Sequence, residues 1–568
     1  MNKIRPAILL ATIVLSAFVA YGLFSLPSPK PADYDGFSSA RVVEDLKVKS
    51  QEPHSIIHPE NRAKVRDYFV ERLRGLGAEP VLYHYENCTG HNYNFDATNI
   101  YAEFPPLKAV EDTTYIMFVA HYDSRYPQPV LDKTVESFGA ADDGYGVATS
   151  LECLTQALKV RENWNQGVKI LFTDAEEVGM IGMKQAYEHN KELFENVGLM
   201  INVESRGTYG PALLFETSPN NSKVVDFYKE FSKYHYTYSL TTVVYTFLPN
   251  STDFTIVRDE IPGVNFSTIA DINHYHTDLD NIDNISEETI QHYGEQILPM
   301  ALEYLTNEKY ADKDYFKAED DCIFCTIPLL GMFKFTKVQF IVLNVIVFLL
   351  FLLSFMFEAL RGRLDIVKAL KRSLYVLLAA LGALAIGELV AYACAAIVGT
   401  QFKLFGVIRA IAFDNTAMVV LMVVMVAAAL LVYLKLRSDA VKKTAGSMRA
   451  NAGANAAEKC ATNMLYGTLA LLAVLTMVMT FTLAESFMFL IPLGAAVLAM
   501  ILWRTTGLKL FIPLAIAFIL LHAFSFYYAL AMALTIGAIG AVMFLAFFDV
   551  MVLIPLSDLY LIHFAKKK

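Results

Sequence analysis

The hydrophobic pattern of this chain changes scale twice. An apolar run over residues 7–26 follows Lys3 and Arg5. About 20 apolar residues are enough to cross a bilayer as a helix, and this run is longer than the usual apolar core of a cleaved signal. It reads as an uncleaved anchor, residues 1–27, with its N-terminus inside; the small residues around Ser16 to Ala20 leave a cleaved signal peptide as the alternative. Residues 28–36 are rich in proline and read as a linker. After them the pattern shortens: TYIMFVA, VKILFTD, GLMINVE, PALLFET and GVNFSTI are brief β-rich apolar runs. Helical periodicity lies between them, over 61–76, 146–159 and 179–190. Such alternation predicts an α/β domain over 37–312, a mostly parallel sheet flanked by helices on both faces. A second linker is expected over 313–336.

From residue 337 the scale lengthens again. Apolar runs cover about 337–357, 374–398, 416–434, 463–484, 487–503, 509–529 and 531–555. They predict an α-helical membrane domain over 337–568, fused to the α/β domain, and with the anchor they make eight spans. The bilayer is thus an expected partner. Basic residues follow the second span (Arg361, Arg363, Lys368, Lys371, Arg372) and the fourth (Lys435, Arg437, Lys442, Lys443, Arg449), and the sequence ends in Lys566, Lys567 and Lys568. Basic segments stay inside, so an even count places the α/β domain outside the cytoplasm. This suits a bacterial inner membrane, with an endomembrane as the second location. The segment 438–459, rich in Ala, Gly and Asn, is expected to be flexible. Glu388 falls inside a span, where an ionisable group is expensive.

Charge divides along the same boundary. Of 568 residues with net charge −10, positions 337–568 hold 19 Lys and Arg against 9 Asp and Glu, which leaves the front part near −20. An acidic extramembrane domain argues against nucleic acid as a partner, because phosphate binding needs a basic surface. Six cysteines are too few for a disulfide scaffold. Cys322-x-x-Cys325 remains open as a short disulfide, a redox pair or two free thiols.

The candidate chemistry sits just past the apolar strands, where open α/β sheets place their ligands. AHYDS puts His121 at a strand exit, with Asp123 two residues on to accept the imidazole's second N–H. GAADDG supplies Asp142 and Asp143 among small residues that permit a tight turn, and Asp143 is placed to cap the helix that follows. TDAEEVG carries adjacent Glu176 and Glu177, whose repulsion a cation or a shared proton would offset. NVESRG ends its strand with Glu204, and YHTDLD brings His276, with His274 as the competing imidazole. Two imidazoles and several carboxylates are the donor set of a pair of zinc-like ions, with one carboxylate left to move protons.

These five motifs, in this order, resemble the M28 zinc peptidases over about residues 40–310. NVESRG, GPALLFETS and STDF are most like the membrane-embedded members. The resemblance implies two Zn2+ per chain, one held by His121, Asp142 and Glu204 and the other by Asp142, Glu177 and His276. It implies Glu176 as general base; Asp123 is the catalytic partner that fixes the His121 tautomer, Asp253 a residue that orients a ligand or lines the pocket, and Tyr245 a weaker candidate for stabilising the oxyanion. Glu204 stands where many members carry Asp. The implied activity is peptide hydrolysis, first of all as an aminopeptidase. A carboxypeptidase using Arg125 or Arg206, a single-zinc glutaminyl cyclase, and a transporter or receptor that only binds peptides are the alternatives.

Overall fold

The computed structural model describes residues 4–22, 26–130, 133–247, 250–406, 414–443 and 452–562. Arg449 and Lys566 to Lys568, counted above among the inside charges, lie outside the described residues. The chain forms two units. One comprises Phe24–Thr326 with Gly331–Thr336, and the other Met1–Leu23, Ile327–Leu330 and Lys337–Lys568.

The first unit is built on a mixed seven-stranded sheet. In chain order its strands are β1 (Val81–Gly90), β2 (Tyr93–Phe104), β3 (Tyr115–His121), β6 (Gly167–Thr173), β7 (Val197–Ser205), β8 (Leu213–Thr217) and β9 (Gly263–Thr268). The hairpin β4 (Gln128–Val130) and β5 (Lys133–Val135) stands apart from it. Across the sheet the order is β1-β2-β6-β3-β7-β9-β8. The central strands β6, β3, β7 and β9 run parallel, whereas β1, β2 and β8 pair antiparallel at the flanks. PALLFET is therefore an antiparallel edge and not part of the parallel core.

Both faces of the central strands are covered, which is why they read as unbroken apolar runs. Ile116, Phe118 and Ala120 of β3 join a core with the helices Ser39–Lys49, Pro59–Gly75, Gly144–Leu158 and Glu287–Thr306. Met117 and Val119 point the other way, against Met183 and Ala186 of the helix Ile181–His189 and Phe254 and Val257 of the helix Asp253–Val257. The two-residue period sorts them.

Two expected linkers are ordered parts of this unit. Within residues 28–36, Arg41 donates to the carbonyls of Ala32 (2.6 Å) and Tyr34 (3.0 Å), and Ser38 Oγ donates to those of Lys30 and Pro31. Captured carbonyls hold a proline-rich segment that composition alone leaves free. Within 313–336, β10 (Cys322–Ile327) pairs with β11 (Gly331–Thr336), and the Thr326 N–H donates to the Thr237 carbonyl. Cys322 and Cys325 are buried thiols in β10 and are not joined in a disulfide.

Among the described residues, eight helices are long and apolar enough to cross a membrane: Ile4–Gly22, Lys337–Leu360, Ile366–Ile397, Thr416–Lys442, Ala452–Thr482, Phe487–Thr506, Phe511–Leu534 and Ile536–Leu561. Helix extends to Lys442 and resumes at Ala452, so the described ends of the 438–459 segment are regular. Alanine, the best helix former, favours this outcome. Glu388 is buried in the helix Ile366–Ile397. Beside it, a Cβ on Gly387 would come within 2.4 Å of the Gly540 Cα, so only glycine permits this helix approach.

Candidate metal centre

His121 closes β3, and the GAADDG turn, in which the Asp142–Asp143 peptide is cis, leads into the helix Gly144–Leu158. Glu176 and Glu177 follow β6, Glu204 is the penultimate residue of β7, and His276 lies beyond β9. Parallel strands end at one edge of the sheet, so residues as remote in sequence as His121 and His276 converge there. His276 Nε2 is 3.2 Å from Asp142 Oδ2 and 3.1 Å from Glu177 Oε2. His121 Nε2 is 3.3 Å from the other Asp142 oxygen, Oδ1, and 3.7 Å from Glu204 Oε2.

Two sets of possible ligand atoms result, each lying within 4.8 Å of one another: His121, Asp143 and Glu204, and Asp142, Glu177 and His276. Asp143 is close to the first set, but its oxygens are engaged. Oδ1 accepts from Gly146 N at 2.9 Å as the helix cap, and Oδ2 accepts from His121 N at 3.2 Å. Asp142 instead offers one oxygen to each imidazole. His274 stands outside both sets, with Nδ1 2.7 Å from the Thr208 hydroxyl.

The donor set suits divalent zinc-like ions: one imidazole nitrogen and carboxylate oxygens on each side. Glu177 Oε1 is buried and accepts no hydrogen bond. An unmatched buried carboxylate oxygen is costly, and a cation beside it removes the cost.

The electrostatics point the same way. Burial lifts the Glu176 carboxyl well above its ordinary range, and the carboxylates of Glu204, Asp253 and Glu177 add to this against His121. Burial lifts Glu204 as well, with Asp143 and Asp142 contributing. At Glu177 burial is outweighed by His276 and Arg125, which hold the carboxyl well below its usual value. Arg125 donates to Glu177 Oε2 at 2.9 Å and to its carbonyl at 2.7 Å, so it pairs with a ligand-type acid. Of the clustered acidic residues, Glu176 is partly exposed as a residue although its carboxyl is buried, and the others are buried.

Asp123 does more than face an imidazole. The His121 Nδ1 lies 3.0 Å from the Asp123 carbonyl and 3.4 Å from its carboxylate. That carboxylate accepts the amides of Glu176 (Oδ1, 3.1 Å) and Glu177 (Oδ2, 3.4 Å), so one buried acid ties β3's exit to β6's. Backbone strain marks the same turns: Ala175 (φ 59°) and His276 (φ 61°) are non-glycine residues in the left-handed region. Asp253 is buried, accepts from the Thr173 hydroxyl at the end of β6, and is pushed up to about 6 by burial. Tyr245 is half-buried, edge-on to Phe215 at 5.0 Å, and its phenol is raised by burial and then by Glu216, Glu204 and Glu176.

Asp280 carries no motif-level signal beyond its place at the end of YHTDLD. It is buried, its Oδ1 accepts from Ala141 N at 2.7 Å, and its Oδ2 accepts from Ser137 Oγ at 2.8 Å, so it clamps the turn that presents Asp142.

The sequence model described as peptidase family M28 matches residues 99–301. Among curated relatives, endoplasmic reticulum metallopeptidase 1 of Mus musculus is 25% identical over 353 residues, covering 58% of this chain and 38% of that protein. The vacuolar membrane protease of Candida dubliniensis is 25% identical over 283 residues, covering 48% of this chain and 29% of that one. The chain therefore spans well under half the length of either relative. Similar solved structures include an aminopeptidase from Aneurinibacillus sp. strain AM-1 (12% identity, TM-score 0.39, 48% of this chain and 94% of that one). A glutaminyl cyclase from Porphyromonas gingivalis is another (20% identity, TM-score 0.38, 48% and 100%).

Proposed function

Residues 99–301 are a peptidase family M28 domain, and on that premise we propose that the chain is a membrane-embedded, dinuclear zinc aminopeptidase. His121, Asp142 and Glu204 hold one ion, and Asp142, Glu177 and His276 the other. The observation that carries the reading is Asp142, buried between the two imidazoles with one carboxylate oxygen toward each. When bound, the ions supply Lewis acidity that polarises a scissile carbonyl and makes water a nucleophile near neutral pH.

The remaining steps belong to the chain. Glu176, the partly exposed residue among the clustered acids, takes the proton of the attacking water at its carboxylate oxygen and passes it to the leaving amine. Asp123 sets the position of that carboxylate through the backbone amides of Glu176 and Glu177. The Tyr245 hydroxyl, kept protonated by burial, donates to the oxygen that gains charge in the tetrahedral state. Asp253 holds the end of β6 through Thr173.

Substrates are peptides with a free N-terminus, met outside the cytoplasm. The acidic character of residues 1–336 favours a cationic α-amine near the centre, and the basic segments between spans support a domain on the opposite side of the bilayer. A bacterial inner membrane is the proposed location, with an endomembrane second. The test compares cleavage of one peptide with free and acetylated N-termini. Acetylation is expected to lower kcat/KM at least about tenfold, roughly 1.4 kcal/mol of transition-state binding. Equal cleavage at internal bonds would overturn the aminopeptidase reading, and a loss on C-terminal amidation would replace it with a carboxypeptidase.

A further inference from the structure

Beneath the GAADDG turn lies a buried ammonium that none of the motifs contains. Lys49 is the last residue of the helix Ser39–Lys49, 50 positions before the family match begins, and its side chain is almost wholly enclosed. Its Nζ donates to the Gly139 carbonyl at 2.8 Å and lies 3.2 Å from His54 Nε2. The His54 ring is itself fixed: Nδ1 is 2.9 Å from the Glu52 carbonyl and so carries the proton, which leaves Nε2 to accept from the ammonium. The His54 backbone N–H then donates to Ser124 Oγ at 3.0 Å, in the loop that follows His121.

The lysine thus touches the turn that supplies Asp142 and, through His54, the loop that follows His121. Gly139 has φ +63°, and a Cβ there would come within 2.9 Å of Lys49 Nζ and 3.1 Å of both the Asp142 carbonyl and Ser124 Cβ. The left-handed backbone and these close contacts favour glycine, and the carbonyl of this turn has the ammonium as its donor. Burial pushes the Lys49 pKa below its ordinary value, and the carboxylates of Asp143, Asp280, Asp142 and Asp123 act against that shift.

We propose that Lys49 is a positioning residue of the metal centre: it pins the Gly139 turn so that Asp142 stands between His121 and His276 before any ion arrives. The proposal rests on Asp142 being a shared ligand. Lys49 touches no reacting atom and acts through the loop. Because Asp142 serves both sites, loss of the pin weakens both ions together.

The experiment is a chelator-competition titration of zinc on the full chain in detergent, with thermal unfolding of the zinc-free and zinc-loaded forms. Lys49→Met is expected to lower zinc affinity at least about tenfold, and Lys49→Arg, which keeps the charge and the donors, to stay within about threefold of the parent. Unchanged affinity with equal destabilisation of both forms would overturn the proposal, leaving Lys49 a packing residue. Higher affinity would also overturn it, since simple removal of a repelling charge has that sign. Asp142→Asn serves as the control. If it loses zinc while Lys49→Met does not, only the lysine proposal fails; if neither loses zinc, the shared-ligand reading fails. Should Lys49→Met not fold, His54→Leu removes the acceptor that orients the ammonium together with the hydrogen bond to the Glu52 carbonyl, and is expected to lower affinity about threefold, with no change counting against the proposal.

Discussion

The Nε2 atom of His276 lies 3.2 Å from Oδ2 of Asp142, the oxygen opposite the one that faces His121. A carboxylate that only capped a helix or closed a turn would spend its oxygens on backbone amides, as the neighbouring Asp143 does. Of the two adjacent acids, Asp142 therefore has the arrangement that the proposed shared-ion site requires.

Glu176→Gln is expected to lower kcat by about 10²-fold or more while zinc content stays at the parental level, because the residue moves protons and does not ligate. Metal analysis alongside single-turnover cleavage checks this. Loss of an ion from the variant would mean that Glu176 and Glu177 have exchanged roles.

Asp123→Asn tests the link between two strand exits. An asparagine accepts at one oxygen but turns an N–H toward the second amide of the Glu176–Glu177 pair, which now faces a donor. The expected result is a fall in kcat of about 100-fold with KM within about threefold. A change confined to KM would place Asp123 in substrate binding instead.

The candidate positions legible in the amino-acid sequence are mostly those in which short-range chemistry and strand exits coincide: His121 ends β3, Glu176 and Glu177 follow β6 and Glu204 lies at the end of β7, whereas His276, beyond β9, is read from its YHTDLD context alone. The roles of Asp280 and Lys49 are not legible there, because both act on the backbone of a turn remote in sequence, Asp280 on Ala141 and Lys49 on Gly139. The β1–β2 hairpin also escapes the hydrophobic pattern. Most of β1 is exposed, so its positions show neither an apolar run nor a clean alternation. PALLFET reads as a strand but says nothing of direction, since an antiparallel edge covered on both faces is as apolar as a parallel centre.

His292 gives a pH prediction remote from the metal centre. Burial lowers its pKa to about 3, and its Nδ1 accepts from Ala212 N at 3.1 Å. The unfolded chain protonates near the ordinary value of about 6.5, so it takes up the proton before the folded chain does. The contribution of His292 to stability is full above about pH 6.5 and declines toward pH 3, by at most about 1.4 kcal/mol per unit. Chemical unfolding across this range should show a shallower acid decline for His292→Gln than for the parent. Parallel curves would contradict the assignment.

Topology is checked with single added cysteines. The native thiols are all buried, so labels at Lys371 and Lys443 should report the inside and a label at Glu52 the outside. Reaction of Glu52→Cys from the cytoplasmic side would remove the proposed extracytoplasmic substrate pool.

The most direct test of the shared ligand is metal stoichiometry on purified full-length protein and its Asp142→Asn variant. The expected result is two zinc ions per chain in the parent, with loss of zinc and of peptidase activity together in the variant. One ion per chain in a fully active parent, unchanged by Asp142→Asn, would contradict the dinuclear centre.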